Sequence, residues 1–214
     1  MTGSLRATAA LIAILLASGV PAQDAPSAVD TVNPDDLSLG TPEGQEAGVG
    51  ETYIAEVHGD WEVRCIRAEE GQPEPCQLYQ LLRDAGDSPV AEVNIFDVDD
   101  NGEVVAGATI VTPLDTLLTP QMRLQVDDGQ ALRYPFSFCQ QIGCFVRIGL
   151  SEADLAAYRA GSEVTVTIVP LQAPNQTVDL TLSLVGFTAG FQDLNERVIA
   201  AREAIRAQEE SASE

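Results

Sequence analysis

The sequence predicts an all-β domain of antiparallel strands, and two observations carry that prediction: short runs of alternating aliphatic and polar residues, and turn-forming residues between them, with four cysteines in two close pairs to brace it. Val178, Leu180, Leu182 and Leu184 alternate with Thr177, Asp179, Thr181 and Ser183, which gives a strand one aliphatic face and one wet face. Val164, Val166 and Ile168 alternate with Thr165 and Thr167 in the same way, as do Met122, Leu124 and Val126 with Arg123 and Gln125. Asp100-Asn101-Gly102, Asp127-Asp128-Gly129 and Pro174-Asn175-Gln176 mark the turns, where Gly and Asn tolerate the backbone angles of tight antiparallel connections.

One short helix interrupts the strands. Ser151 is placed to cap it, Asp154 to complete a capping box, Leu150 and Leu155 to form a hydrophobic staple, and Gly161 to end it at C′. At two to three turns it serves as a crossover. After Phe191 the residues Leu194, Val198, Ala201 and Ile205 recur at helical spacing, and Asp193 and Arg197 are placed for an i,i+4 pair. This predicts a C-terminal helix over the start of 192–214, ending in a polar tail. Its narrow apolar stripe suits either docking on its own domain or binding a partner.

Cys65 and Cys76 flank ten residues that include Pro73 and Pro75, and Cys139 and Cys144 flank a four-residue loop containing Gly143. Such pairs read as disulfides in an oxidising compartment, and 65–76 with 139–144 is one of three connectivities that four cysteines allow. Each bridge would add ~2 to 3 kcal/mol by loop-closure entropy. The spacing does not match the Cys-x2–4-Cys knuckles of structural zinc or the Cys-x-x-Cys of redox enzymes.

The N-terminus supplies the reason to expect that compartment. Arg6 precedes an apolar run from Ala7 to Val20 and the sequence Val20-Pro21-Ala22, the pattern of a secretory signal over residues 1–22. The run is too short for the ~20 residues that a membrane span needs, so no membrane insertion is expected once the signal is removed. Residues 23–52 are rich in Pro, Gly, Asp and Glu and hold no basic residue, the composition of a disordered acidic linker. Acidic residues number 33 against 11 basic ones, all of them Arg, for a formal charge of −22. That balance disfavours nucleic acid and anionic lipid surfaces as partners.

Chemistry-bearing patterns are few. Asp97, Asp99 and Asn101, followed by Gly102, match the first half of a calcium loop, but the twelfth position is Ala108 where a bidentate Glu belongs. A hairpin tip with solvated acids explains the same residues, so no metal and no cofactor is expected. His58 is the sole histidine, and no carboxylate pair stands out for hydrolysis. The chain therefore reads as a non-enzyme, with a small-molecule or ion-binding protein as one alternative and a carboxylate-dependent hydrolase as another. Trp61 and Phe136, Phe138, Phe145, Phe187 and Phe191 are expected in the core.

Three blocks carry a resemblance: Gly59-Asp60-Trp61-Glu62-Val63-Arg64-Cys65; Tyr134-Pro135-Phe136-Ser137-Phe138-Cys139 with Gly143-Cys144; and Ser183-Leu184-Val185-Gly186-Phe187-Thr188-Ala189-Gly190-Phe191. With Arg123 to Gly129 between them, they resemble the invasion-associated locus B family of bacterial exported proteins over residues 53–191. The resemblance implies an immunoglobulin-like β-sandwich and a periplasmic, secreted or surface location in a Gram-negative envelope. It implies host-cell interaction for those members linked to invasion; the expectation of a protein partner, bound through a strand edge, loops or the tail helix, rests instead on export, the β pattern and the lack of catalytic groups. The long acidic linker and the helical tail depart from the family pattern, and a polyanionic tether opposes direct adhesion to a negatively charged cell. No catalytic residue carries over, because the shared blocks consist of fold-forming residues. N-terminal sequencing of the exported protein should find Gln23 as the first residue; recovery of Met1 or of the apolar run would refute the signal assignment.

Overall fold

The computed structural model describes residues 47–98 and 102–212; the signal assignment, most of the linker and the Asp99 and Asn101 positions lie outside them. Among the described residues eleven strands and two helices follow one another: β1 Thr52–His58, β2 Trp61–Ile66, β3 Cys76–Arg83, β4 Pro89–Asp97, β5 Ala106–Thr112, β6 Met122–Val126, β7 Leu132–Tyr134, β8 Phe138–Gln140, β9 Gly143–Leu150, α1 Glu152–Ala160, β10 Glu163–Ile168, β11 Val178–Ser183 and α2 Phe187–Ala212. They form a seven-stranded sheet in the order β1-β2-β3-β4-β5-β9-β8 and a four-stranded sheet in the order β11-β10-β6-β7. Every ladder in both sheets is antiparallel. The architecture is the expected β-sandwich with a crossover helix and a C-terminal helix, with a five-strand meander making most of the larger sheet.

The alternating runs supply the core. Met122, Leu124, Val164, Val166, Ile168, Leu180 and Leu182 face inward from the small sheet and meet Trp61, Val63, Leu78, Leu82, Val93, Ile95, Ile110, Val146 and Ile148 from the large one. The two layers differ in width. At ~4.8 Å per strand the large sheet spans ~29 Å and the small one ~14 Å, so about half of one inner face would stay wet. Helix α2, ~10 Å across with its side chains, lies against β1 to β4 and completes the second layer. Phe187, Phe191 and Leu194 are the side chains it buries, with Phe187 between Trp61 (ring centroids 5.6 Å apart) and Tyr158 (5.5 Å).

This docking shifts the helix start. The periodicity after Phe191 predicts a helix from residue 192, whereas α2 begins at Phe187. Gly190 in its first turn is a poor helix former, but its bare backbone lets the helix approach Leu78, whose Cδ1 would stand 2.8 Å from an added Cβ. Helix α1 carries the full capping box, with the Asp154 amide bonded to Ser151 Oγ and the Ser151 amide to Asp154 Oδ2. Gly161 closes it without the left-handed geometry of a C′ glycine, at φ −82°. It is small because Val126 Cγ1 would stand 2.9 Å from a Cβ there.

Two turns interlock beside Trp61. Gly59, between β1 and β2, has φ +58°, and Gly186, between β11 and α2, has φ +88°. A Cβ on Gly186 would fall 1.9 Å from the His58 carbonyl oxygen, and one on Gly59 would fall 2.6 Å from that of Val185. The Asp60 amide donates to the Val185 carbonyl at 3.1 Å. Close by, Ser183 fastens the two sheets together. Its carbonyl accepts from Trp61 Nε1 (2.8 Å) and Gln80 Nε2 (3.0 Å), while its amide donates to Gln80 Oε1 (2.8 Å). The Gln80 side-chain amide thus behaves as one extra peptide unit across the gap.

The cysteines lie directly opposite one another in their ladders. Cys65 pairs with Cys76 across β2 and β3, and Cys139 with Cys144 across β8 and β9, with Cα atoms 4.1 and 4.0 Å apart. Of the aromatics expected inside, Trp61, Phe187 and Phe191 are buried and Phe136 packs partly against the core. Phe138 and Phe145 are a correction: they occupy the outward face of the large sheet and stack on each other at 4.7 Å, because they alternate with Val146 and Ile148, which take the core positions.

Gly186→Ala should destabilise the domain far more than Gly50→Ala in thermal melts. Gly50 has φ +85° with nothing within 4 Å of an added Cβ, so only the left-handed strain of ~1 to 2 kcal/mol applies there. Phe187→Ala should cost ~3 to 5 kcal/mol, a drop of roughly 10 °C in a domain of this size.

Candidate functional site

The described surface around α2 gathers most of the side chains singled out by the sequence. His58 closes β1, and its Nε2 stands 3.1 Å from Asp193 Oδ2 on the second turn of α2. Arg197 Nε donates to Asp193 Oδ1 at 2.8 Å, the i,i+4 pair expected from the spacing. Partial burial pushes the Asp193 carboxyl up, but the hydrogen bonds from His58 and Arg197, with their charges, outweigh it and hold the group below its ordinary value. A hollow of about 380 Å³ beside this pair is lined by Glu56, His58, Ala189, Gln192, Asp193, Glu196 and Arg197. A His–Asp pair can orient a base, yet the lining offers no serine, threonine or cysteine for it to activate. The geometry suits a clamp between β1 and α2.

A second cluster ties the β2–β3 connection down. Glu74 Oε1 accepts from Arg67 Nη1 (2.9 Å) and from the Ala68 amide (3.3 Å), while Oε2 accepts from the Tyr53 hydroxyl. The Tyr53 hydrogen bond leads in holding the Glu74 carboxyl below its usual value, and the same bond leads in raising the phenol. Arg67 also covers the Tyr53 ring, 4.2 Å from its centroid. This fixes the segment running through Pro73 and Pro75 into the first disulfide.

Between that segment and α2 lies an open groove of about 440 Å³, walled by Pro73, Pro75, Phe96, Val198, Ala201 and Ile205. Arg202 pairs with Asp97 at its end, and Gln208 Nε2 reaches the Gly71 carbonyl at 2.6 Å. Asp97, the one described acid of the half calcium loop, is thus engaged by a guanidinium. Among the described residues no three His, Cys, Asp or Glu side chains converge as metal ligands. Beyond Val198 the helix leaves the core, with Ile199 54% and Ile205 43% exposed, so its first half docks and its second half presents an apolar edge. Sequence periodicity marked Val198, Ala201 and Ile205 as one stripe, but only the fold shows which wall faces them.

These features define a class: a disulfide-braced, two-sheet β-sandwich closed by a C-terminal helix. The chain belongs to the Invasion associated locus B (IalB) protein family, whose model matches residues 61–195. It is similar to invasion protein B homologs of Brucella abortus strains 2308 and biovar 1 (strain 9-941), each 26% identical over 140 residues, covering 65% of this chain and 78% of the relative. The crystal structure of invasion associated protein B from Bartonella henselae shares the fold, with a TM-score of 0.55 at 22% identity, covering 69% of this chain and 97% of that one.

The Asp193 clamp carries a pH signature. A carboxyl whose folded value lies below its unfolded one adds stability that is present above the ordinary carboxylate range and is lost as pH falls through the depressed value. The melting temperature of the protein should therefore fall as pH drops from about 5 to about 3. Asp193→Asn should lower the melting temperature at pH 7 and lose stability less steeply over that acid window.

Proposed function

We propose that this chain is an exported, non-enzymatic envelope or surface protein of the invasion-associated locus B type that works by binding another protein. The observation that carries the reading is the groove between α2 and the Pro73–Cys76 segment, which combines proline, phenylalanine and aliphatic walls with a charged pair at one end. Such a groove suits the apolar anchors of a peptide or helix, in the manner of helix-in-groove recognition. Family membership, two disulfides and the N-terminal signal pattern support an oxidising location in the periplasm or beyond. The names of the Brucella and Bartonella relatives extend the reading to host-cell interaction, the finer part of this proposal.

The test must suit a chain whose basic residues are all arginine, because amine-reactive crosslinkers find no lysine to attack. A photoreactive residue in place of Ile205, irradiated in the native envelope, should yield a discrete protein adduct that the same residue in place of Leu171, exposed in the connection between β10 and β11 and no part of the groove lining, does not. Absence of any adduct from Ile205 and from Ala201, with the protein folded and in the envelope fraction, would overturn the proposal.

A further inference from the structure

The outward face of the seven-stranded sheet has a composition unlike the rest of the chain. On its five inner strands, β2 to β5 and β9, the outward acids are Glu62 and Glu92, while Arg64, Arg83 and Arg147 point the same way. In a chain with 33 acidic and 11 basic residues, this face reverses the balance. Tyr79, Leu81, Phe96, Val111, Phe138 and Phe145 occupy outward positions that a wetted sheet would fill with polar residues, and Leu81 and Phe96 are each 37% exposed. Aromatic residues and arginine with few acids is the composition that separates an interface from ordinary surface.

The register shows what fits there. One cross-strand row reads Glu62, Tyr79, Asn94, Thr109 and Arg147, on β2, β3, β4, β5 and β9 in turn. Its opposite charges stand at the two ends, each two strands, or ~10 Å, from β4. We propose that this face is the interface of a homodimer whose two-fold axis runs along β4. Within each chain Glu62 already accepts from Arg64 at 2.7 Å; such an axis carries Arg147 of each copy onto Glu62 of the other, so that each of the two carboxylates is shared between two guanidiniums. It also lays Leu81 over Val111, a large group over a smaller and largely buried one, and sets the Arg64 guanidinium that covers the Tyr79 ring over Thr109. A sheet ~29 Å wide and three rows deep is of the order of the ~800 Å² per partner that a stable interface uses. Glu92 lies on the axis and meets its own copy, and Arg147 comes beside the Arg64 that Glu62 holds; these are the unfavourable contacts of the arrangement.

Two strongly acidic bodies, from a sequence of formal charge −22 that loses the basic Arg6 with the signal, repel at long range, so the dimer should strengthen with salt, opposite to an association driven by net charge. Sedimentation of the full mature chain at tens of micromolar should show a dimer that tightens between ~0.05 and ~0.5 M salt. Arg147→Glu and Glu62→Arg should each weaken it about tenfold or more, and the double exchange should recover it. Glu92→Gln should tighten it beyond the effect of Glu70→Gln, which removes the same charge away from this face. Thermal melts identify any variant that fails to fold, and Leu81→Glu then serves as the disrupting substitution. A monomer at every salt concentration overturns the proposal. So does a dimer indifferent to these substitutions, or a double exchange no better than either single one.

Discussion

The structure turns on the approach of two turns that have no room for side chains. Gly59 and Gly186 put two carbonyl-bearing backbones where a single added Cβ would collide at 1.9 Å. This closeness sets the end of β11 against the start of β2, where Ser183 can accept from the Trp61 indole and exchange two hydrogen bonds with Gln80. It also fixes where α2 begins, so that Phe187 enters the space beside Trp61. Widen the gap and three things fail together: the indole and the Gln80 amide, both buried, lose their partners, the sheets separate at one corner, and the helix loses its anchor. A buried polar group left unpaired costs more than its bond was worth, which makes this corner cooperative.

From that corner the rest follows as a problem of coverage. A seven-stranded sheet cannot be roofed by four strands, and the chain solves this with a helix rather than with more strands. Helix α2 has too few apolar side chains to bury its whole length, and its docked part is limited to Phe187, Phe191, Leu194 and Val198. The His58–Asp193 contact fastens the docked part to β1, and the Arg202–Asp97 pair holds the helix where apolar contact thins out. The same division leaves a groove beside the first disulfide and an uncovered face behind the sheet.

Much of this was legible in residues. Period-two alternation located β6, β10 and β11 because each has one wet face, and Ser151 with Asp154 marked α1 through a local capping signal. Strand β5 was harder, since Ala106-Gly107-Ala108 and Val111 are buried on both faces and show no alternation. The start of α2 escaped because Gly190 and Thr188 argue locally against a helix, and packing on Leu78 overrides them. Phe138 and Phe145 misled because hydrophobicity alone does not say which face of a strand a residue takes; the phase set by Val146 and Ile148 does. His58 and Asp193 stand 135 residues apart, and no one-dimensional pattern links them.

Helix α2 is the last element of the fold to be synthesised, and it roofs strands that are among the first. The disulfides, by contrast, join residues only 11 and 5 positions apart, so each can close as soon as its own hairpin exists. The order of assembly is thus written into the chain: braced hairpins first, a half-open sheet in waiting, and closure only when the final segment is free to dock. A nascent or truncated chain that ends before Phe187 holds Trp61 and Leu78 open to water, which makes the C-terminus the checkpoint between a sticky intermediate and a finished domain.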